Sequence, residues 1–381
     1  MTQFENLVAI LTISDEIIAL LKDEGVNFFT TYPCAKFQVL YNLVHSNFLS
    51  LGITKEEEGV GICAGASLAG AKPAMLIQST GLGNMINALC SLTITYQLPL
   101  LVLASWRGVY KEKIAAQKHL GKSLPQILEA IGSKYHIIKT RQDLPRFQKA
   151  VKTTYTNNSL QVVLLSPQLW EKEPIPHFEI TDSPSVGCTQ EAIFPPAEGS
   201  LTRYEILETL SSYICDKILV SNIGFPSREL YQIMHQSTNF YMLGSLGLAS
   251  SIGLGIALFS KREVVVVDGD GSLLSNLGVL ASIAQTNPSN LTILAIDNSA
   301  HGSTGNQVTP TATCVDLALT AKSLGINNVT RVASRPQIVE AISDLGEGPN
   351  FVHIIARAGN AQVPPIPLTP IEIKQQFMQA I

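Results

Sequence analysis

The chain has 381 residues, of which 46% are hydrophobic and 15% are charged, so it is long enough for two ordinary domains with well-packed cores. A net charge of −4 gives no reason to expect binding to nucleic acid or to an anionic membrane surface. The six cysteines form no CxxC pair, which argues against a disulfide framework and against a zinc site. The first residues lack the basic stretch of a signal peptide, so we expect a cytoplasmic protein.

Short apolar runs alternate with helical patterns along the chain, which is typical of parallel α/β sheets. The runs predicted as strands buried on both faces are Leu100–Leu103, Val162–Leu165, Val264–Val267 and Thr292–Ile296. The two halves also echo each other, because strand, helix and strand patterns surround Pro145 and again Pro336, 191 positions later. We therefore predict two domains of the same fold, although chance alternation would give a similar echo.

In the first half, polar segments stand next to the predicted elements. Residues Thr31–Lys36 follow the strand-like Phe28-Phe29. A run of three glutamates, Glu56–Glu58, begins a helix rich in small residues, and such a run ordinarily places exposed charges that complement the helix dipole. The segment Arg107–Lys122 holds five basic residues against Glu112 alone. This excess fits an anionic ligand, and an exposed basic loop would look the same.

The middle of the chain predicts an extended linker. Residues 171–200 have no apolar periodicity and contain five prolines: Pro174, Pro176, Pro184, Pro195 and Pro196. We therefore predict one domain over residues 1–170 and a second over 201–381.

An uncharged run, Tyr241–Ser260, is as long as a membrane-spanning helix, and the mean hydropathy of the chain is +0.22. However, the run is rich in glycine and serine, and no basic cluster flanks it. We predict a glycine-rich helix packed against a sheet and no membrane partner.

In the second half, the strand Val264–Val267 leads into the glycine-rich turn Asp268–Ser272 and then into a helical pattern. Backbone N–H groups in such a turn can bind an anion. A carboxylate there repels phosphate unless a cation lies between them, so Asp270 is a candidate magnesium ligand facing a diphosphate. The alternative is an ordinary Asp-Gly turn without a ligand.

The next predicted strand strengthens the metal interpretation. It ends in Asp297–Gly302, and Asn298 lies 28 positions after Asp270. Neighbouring parallel strands place their carboxyl ends side by side, where open α/β sheets bind ligands. The Asn298 amide and the Ala300 carbonyl could then bind the same cation, and an all-oxygen set suits Mg²⁺.

The GDG turn followed at this interval by an asparagine is similar to the signature of the thiamine-diphosphate enzymes. Asp297 stands where many members of that family have an asparagine. Other segments resemble the two subunits of the sulfopyruvate decarboxylase family: Thr31–Lys36 and Gln78–Asn84 for the α subunit, and Ser221–Gly224, Phe240–Gly253 and Ser303–Gln307 for the β subunit. The resemblance implies fused α and β parts. It also implies an α/β fold class, with two doubly wound parallel-sheet domains, the first for the pyrimidine and the second for the diphosphate.

The resemblance also implies roles for individual residues around thiamine diphosphate. The Gly244 carbonyl would hold the 4′-amino group, and Leu246 would be the apolar wedge that bends the cofactor. Glu56 would hydrogen-bond N1′ of the pyrimidine, with Glu57 as the fallback. The remaining cofactor-binding candidates are Asn222, Gly224, Gly269, Gly271 and Ser272.

For the substrate we expect a small anionic 2-keto acid, which Lys36, Arg107 and Gln117 would bind. His119 and His301 are candidate proton donors. The implied reaction is the magnesium-dependent conversion of sulfopyruvate to sulfoacetaldehyde and CO₂, in coenzyme M biosynthesis. The rivals are phosphonopyruvate decarboxylation and a non-catalytic binding protein of the same fold. The resemblance further implies a homodimer or homotetramer with active sites between subunits.

Overall fold

A computed structural model describes residues 12–171 and 199–381 of the chain. The predicted linker over residues 171–200 therefore lies almost entirely outside the described residues, and the domain boundaries at 170 and 201 stay a prediction. Within the two described ranges, no helix has both the length and the apolar character needed to span a bilayer.

The first half forms a six-stranded parallel sheet with helices on its faces. Its strands are β1 (Phe28–Thr31), β2 (Leu49–Gly52), β3 (Pro73–Gln78), β4 (Leu100–Ser105), β5 (Lys134–Ile138) and β6 (Leu160–Leu165). Its helices are α1 (Ile13–Asp23), α2 (Gln38–Asn47), α3 (Glu56–Leu68), α4 (Leu82–Ala88), α5 (Ala115–Ala130) and α6 (Leu144–Thr156).

The second half forms another six-stranded parallel sheet and carries a short antiparallel hairpin beside it. Its strands are β7 (Ile218–Ser221), β8 (Asn239–Tyr241), β9 (Val264–Gly269), β10 (Leu291–Asp297), the hairpin β11 (Ala300–His301) and β12 (Gln307–Val308), β13 (Asn328–Val332) and β14 (Asn350–Ile355). Its helices are α7 (Arg203–Ile214), α8 (Phe225–Met234), α9 (Ala249–Ala257), α10 (Asp270–Ser275), α11 (Gly278–Thr286), α12 (Leu317–Ser323), α13 (Arg335–Ser343) and α14 (Pro370–Ala380).

The two sheets share one topology. The first has the order β2-β1-β3-β4-β6-β5, and the second reads β8-β7-β9-β10-β14-β13. If the six strands of each sheet are numbered along the chain, without the hairpin, both sheets have the order 2-1-3-4-6-5. The echo around Pro145 and Pro336 falls on equivalent units, because α6 connects β5 to β6 and α13 connects β13 to β14. The predicted fold class, two doubly wound parallel sheets, is confirmed.

The two halves meet where helices α3 and α9 cross. A Cβ on Gly65 would lie 2.0 Å from the Ile252 carbonyl oxygen, and a Cβ on Gly255 would lie 2.1 Å from the Ile62 carbonyl oxygen. Neither position can hold a larger residue without a backbone shift, so glycine permits the close approach of the two helices. The first helix begins at Glu56 and the second follows the loop that carries Gly244 and Leu246, so this contact fixes both segments.

One sequence prediction was wrong in detail. The run Tyr241–Ser260 is not a single helix, because β8 ends at Tyr241 and α9 begins only at Ala249. Between them the backbone has positive φ angles, 63° at Ser245 and 91° at Gly247. Such angles are incompatible with a right-handed helix, so residues 242–248 form a loop.

Candidate active site

The carboxyl ends of β9 and β10 carry the residues predicted to bind the diphosphate and the metal. The two strands are neighbours, and Gly269 pairs with Ile296 in the ladder between them. A cavity of about 130 Å³ opens at this edge. Its walls include most of the predicted second-half residues: Asn222, Leu246, Gly269, Asp270, Gly271, Ser272, Asn298, Ala300 and His301. Residues far apart in the sequence are therefore brought together here.

Asp270 is a buried carboxylate that lacks a cationic partner. Its side chain accepts a hydrogen bond from the Thr309 hydroxyl, the Thr311 hydroxyl lies 3.4 Å from it, and no Lys, Arg or His in the described ranges bonds to it. Burial raises the pKa of the Asp270 carboxyl above its ordinary value, and the nearby charge of Asp297 adds to the rise. A divalent cation would supply the missing positive charge, so Asp270 fits the metal predicted from the sequence.

Asn298 is the second predicted metal ligand, and it also has an unsatisfied group. Its Oδ1 accepts the Ala300 N–H at 3.2 Å, whereas its buried Nδ2 has no partner. A buried polar atom without a partner is costly, and the Oδ1 that accepts the Ala300 N–H keeps a second lone pair for a cation. The described ranges contain no cluster of three or more His, Cys, Asp or Glu side chains that could hold a metal. The predicted ligand set differs from such a cluster, because it has a single carboxylate, one side-chain amide and one backbone carbonyl.

Two of the predicted glycines are required by their surroundings. A Cβ on Gly271 would lie 2.4 Å from the His301 ring, and a Cβ on Gly224 would lie 2.4 Å from the Ser303 hydroxyl. Gly224 also has a φ angle of 81°, which side chains rarely permit. Both glycines therefore let the backbone approach the loop that follows β10.

The loop with Gly244 and Leu246 is fixed by residues of the first half. The buried Tyr96 hydroxyl donates to the Tyr241 carbonyl and accepts the Leu243 N–H, each at 2.9 Å. The Leu246 side chain lines the cavity although 43% of its surface is exposed. An exposed leucine on a loop held in place fits a contact with an apolar ligand.

The three glutamates at the start of α3 have different environments. Glu56 is 6% exposed, and its Oε2 accepts the Asn84 side-chain amide at 2.9 Å. Glu57 is half-buried and pairs with Lys55 at 2.8 Å. Glu58 is buried and accepts both the N–H and the hydroxyl of Thr54. Glu56 is thus buried without a cationic partner in the described ranges, which favours it over Glu57 for contact with a ligand.

In one chain, Glu56 is separate from the diphosphate cavity. Of the described residues, those that line the cavity all belong to the second half, Arg203 to Thr304. Glu56 is therefore not among the described residues that line this cavity.

The predicted substrate residues lie at the carboxyl edge of the first sheet and differ in exposure. Arg107 is 5% exposed and forms two hydrogen bonds with the Glu112 carboxylate, at 2.7 and 3.1 Å. The Gln117 Oε1 is buried without a partner, whereas Lys36 is exposed. His119 is an exposed residue of α5.

The charge of Arg107 is already balanced. Its guanidinium lowers the pKa of Glu112 to about 2 and keeps that carboxylate ionised. Lys111 likewise pairs with Glu171 at 2.6 Å. The cationic excess inferred for Arg107–Lys122 is therefore smaller than the composition of the segment indicates.

Two family models match the chain. Residues 11–129 match the N-terminal TPP binding domain of thiamine pyrophosphate enzymes, and residues 222–355 match the C-terminal TPP binding domain. The chain is 43% identical to sulfopyruvate decarboxylase of Methanosarcina acetivorans over 375 residues, which cover 96% of this chain and 97% of the relative. The chain belongs to the thiamine-diphosphate-dependent decarboxylase family.

Other relatives in the family are also decarboxylases. This chain is 34% identical to phosphonopyruvate decarboxylase of Streptomyces viridochromogenes over 95% of this chain and 93% of the relative. Sulfopyruvate decarboxylase of Methanococcus maripaludis has separate subunits. Its α subunit is 36% identical over 42% of this chain and its β subunit 48% identical over 48%, and each match covers 98% of the subunit. The expectation of fused α and β parts is confirmed.

Solved structures agree on the fold. Rhodococcus jostii 4-hydroxybenzoylformate decarboxylase superposes with a TM-score of 0.70 at 13% identity, over 92% of this chain and 100% of that chain. Benzoylformate decarboxylase of Polynucleobacter necessarius gives 0.68 at 14% identity, over 94% and 100%. The predictions of a 2-keto acid decarboxylase and of thiamine diphosphate as its cofactor are confirmed by the family. The roles of individual residues stay predictions.

Sequence reasoning missed the contacts of several residues that shape the site. Tyr96, Asn84 and Glu112 each hold a predicted functional segment in place, and they lie in ordinary polar or apolar contexts. His353 was also missed, and it hydrogen-bonds to Asp297. The signal in the sequence was Asp297 itself, because an aspartate in place of the asparagine of the family signature needs a cationic or hydrogen-bonding partner.

Proposed function

We propose that this decarboxylase converts sulfopyruvate to sulfoacetaldehyde and CO₂ with thiamine diphosphate and Mg²⁺, as a cytoplasmic enzyme of coenzyme M biosynthesis. When bound, thiamine diphosphate supplies the nucleophilic carbon and the electron sink for loss of CO₂. The observation that carries the substrate proposal is the 43% identity to a sulfopyruvate decarboxylase over nearly the full length of both chains.

The diphosphate half of the site is proposed to work by charge. Asp270, Asn298 and the Ala300 carbonyl would hold Mg²⁺, and the backbone of Gly269–Ser272 would face the diphosphate. The proposal is supported by the missing cationic partner of Asp270 among the described residues and by the buried, unpartnered Nδ2 of Asn298.

The pyrimidine half is proposed to work by proton exchange. The Glu56 carboxylate would share a proton with N1′ of the pyrimidine while Asn84 holds its other oxygen. Gly244 and Leu246 would orient the ring. His301 lines the cavity. His119 belongs to the first half, as Glu56 does, so it would reach the cavity only from another subunit, and both histidines stay proposed proton donors.

The first-sheet edge is proposed to hold the sulfonate. Lys36 offers an exposed positive charge, whereas the unpartnered atom of Gln117 in α5 is its Oε1, an acceptor that does not attract an anion. Arg107 would contribute less than its charge suggests, because Glu112 already occupies two of its donors.

We further propose a homodimer or homotetramer in which the Glu56 of one subunit completes the cavity of another. Support comes from the separation of Glu56 from the cavity within one chain. Leu246, which lines the cavity, and Leu243, on the same loop, are also exposed, at 43% and 45%.

Phosphonopyruvate is the rival substrate, because a phosphonopyruvate decarboxylase is 34% identical over most of the chain. Parallel assays of CO₂ release from the two keto acids separate the candidates. We expect kcat/KM to favour sulfopyruvate by about 100-fold or more, since a site built for a monoanionic sulfonate leaves the extra charge of a phosphonate unpaired. Equal values, or a preference for phosphonopyruvate, would reverse the assignment.

A further inference from the structure

Asp297 is the residue at which the chain departs from the family signature, and its side chain does not line the cavity. It ends β10, is 3% exposed and precedes Asn298, which does line the cavity. A buried carboxylate needs several hydrogen-bond donors or a charge partner. The partners of Asp297 therefore show what it does.

One oxygen of Asp297 orders the loop that carries the predicted metal ligands. Oδ1 accepts the Ser299 N–H at 2.9 Å and the Thr311 hydroxyl at 2.8 Å. Ser299 lies before the hairpin β11–β12 and Thr311 lies after it, so one atom joins both ends of the hairpin. The same Thr311 hydroxyl lies 3.4 Å from Asp270, and the Thr309 hydroxyl also bonds to Asp270.

The other oxygen of Asp297 faces a buried histidine. Oδ2 lies 3.0 Å from Nε2 of His353, a residue of the neighbouring strand β14 that is 1% exposed. Beyond the ring, His353 Nδ1 lies 3.8 Å from the Asp316 carboxylate, and Asp316 pairs with Arg331 at 2.8 Å.

We propose that Asp297 and His353 are a pair of positioning residues for the metal site. The imidazole N–H holds Oδ2 turned away from the cavity, and Oδ1 then fixes Ser299 and Thr311. Asn298 and the Ala300 carbonyl, rather than Asp297, are thereby presented to the cation. The inference rests on the proposed magnesium site. It explains why the chain has an aspartate at position 297, because the negative charge of Asp297 has a buried partner in His353.

The test is the affinity for Mg²⁺, measured by titration calorimetry with the full-length enzyme and saturating thiamine diphosphate. His353→Phe removes the N–H that is donated to Asp297. It should weaken Mg²⁺ binding by about 10- to 100-fold, which is the usual effect of removing a residue that orients the metal ligands. His353→Gln keeps an N–H donor and should restore the affinity to within about threefold of the unaltered enzyme. The matched control is His136→Phe, which breaks a 2.9 Å contact with Gln161 in the first half and should leave the affinity unchanged.

A double-mutant cycle separates positioning from general destabilisation. With Asp297→Asn in place, His353→Phe should weaken Mg²⁺ binding by less than about threefold, because no buried charge is then left without its partner. If His353→Phe does not fold, Thr311→Val carries the test and should weaken Mg²⁺ binding by about tenfold.

Unchanged Mg²⁺ affinity in His353→Phe, or in Thr311→Val where the first variant does not fold, overturns the positioning role even if the melting temperature falls. Equal losses from His353→Phe in the unaltered enzyme and in the Asp297→Asn background overturn the pairing. If the unaltered enzyme shows no Mg²⁺-dependent binding of thiamine diphosphate, the proposed metal site fails first, and the positioning role fails with it.

Discussion

The Glu56 carboxylate lies directly against the backbone of Gly81. A Cβ on Gly81 would be 2.1 Å from Glu56 Oε1, so only glycine leaves room for the carboxylate in this position. The Asn84 amide holds the other oxygen at 2.9 Å. The turn after β3 therefore fixes the side chain that we assign to the pyrimidine.

Gly81→Ala tests this contact. The added methyl group must displace the carboxylate, and a shift of about 1 Å at a reacting group can reduce the rate by about 100-fold, so we expect a loss of kcat of that order. Gly83→Ala is the matched control, because its Cβ would meet only Leu120 at 3.4 Å, and it should retain kcat. An unchanged kcat in Gly81→Ala would show that the position of Glu56 is unimportant.

The three adjacent glutamates can be separated by amide substitution. Glu56→Gln should bind thiamine diphosphate normally, measured by calorimetry, and should lose kcat by about 10²- to 10⁴-fold, because the amide cannot exchange a proton with the ring. Glu57→Gln removes only a surface pair with Lys55 and should remain active. The reverse pattern would move the role to Glu57.

A mixing experiment tests whether active sites form between subunits. Glu56→Gln and Asp270→Ala each disable a different half of the site. In a mixed dimer, one of the two sites would combine an intact Glu56 with an intact Asp270. Unfolding and refolding the two inactive variants together should therefore recover about a quarter of the normal activity, since about half of the dimers are mixed and each has one intact site. No recovery, in mixtures shown to contain mixed dimers, would mean that each chain builds its own site.

The Arg107–Glu112 pair predicts a pH dependence of stability. Arg107 lowers the pKa of Glu112 from its ordinary 4.5 to about 2. Because the folded-state pKa is depressed, the contribution of the pair is complete above pH 4.5 and is lost as the pH falls towards 2. Glu112→Gln should lower the free energy of unfolding by about 2 kcal/mol at pH 7, and the difference from the unaltered protein should shrink below pH 4.5. Urea denaturation at several pH values measures it.

Glu347→Gln, an exposed residue, is the control for this series and should change stability little at any pH. A constant effect of Glu112→Gln from pH 7 to pH 3 would contradict the ionised pair.

The strands β9 and β10 could be predicted from sequence, as Val264–Val267 and Thr292–Ile296, to within two residues of the ends in the structure because they depend on local signals. Runs of β-branched residues mark buried parallel strands, and glycine and asparagine mark the turns that follow. Asp270 and Asn298 could therefore be paired on sequence grounds, since parallel strands align their carboxyl ends.

Side-chain partners could not be predicted in the same way. Glu112 follows Arg107 by five residues in a loop, and nothing in the local pattern shows that it neutralises the guanidinium. His353 and Asp297 are 56 positions apart and meet only because β14 lies next to β10. The loop 242–248 was predicted as part of a helix because the run Tyr241–Ser260 is uncharged and rich in glycine and serine, and that composition does not reveal the positive φ angles at Ser245 and Gly247.

We propose that this chain releases CO₂ from a small anionic keto acid only when its second-half cavity holds a cation and a diphosphate. The decisive measurement is CO₂ release from sulfopyruvate by cofactor-depleted enzyme, with thiamine diphosphate and Mg²⁺ added together and then with each withheld. We predict turnover with both and a loss of about 100-fold or more when either is absent. Turnover that persists without them, or no turnover of sulfopyruvate when both are present, would contradict the proposed function.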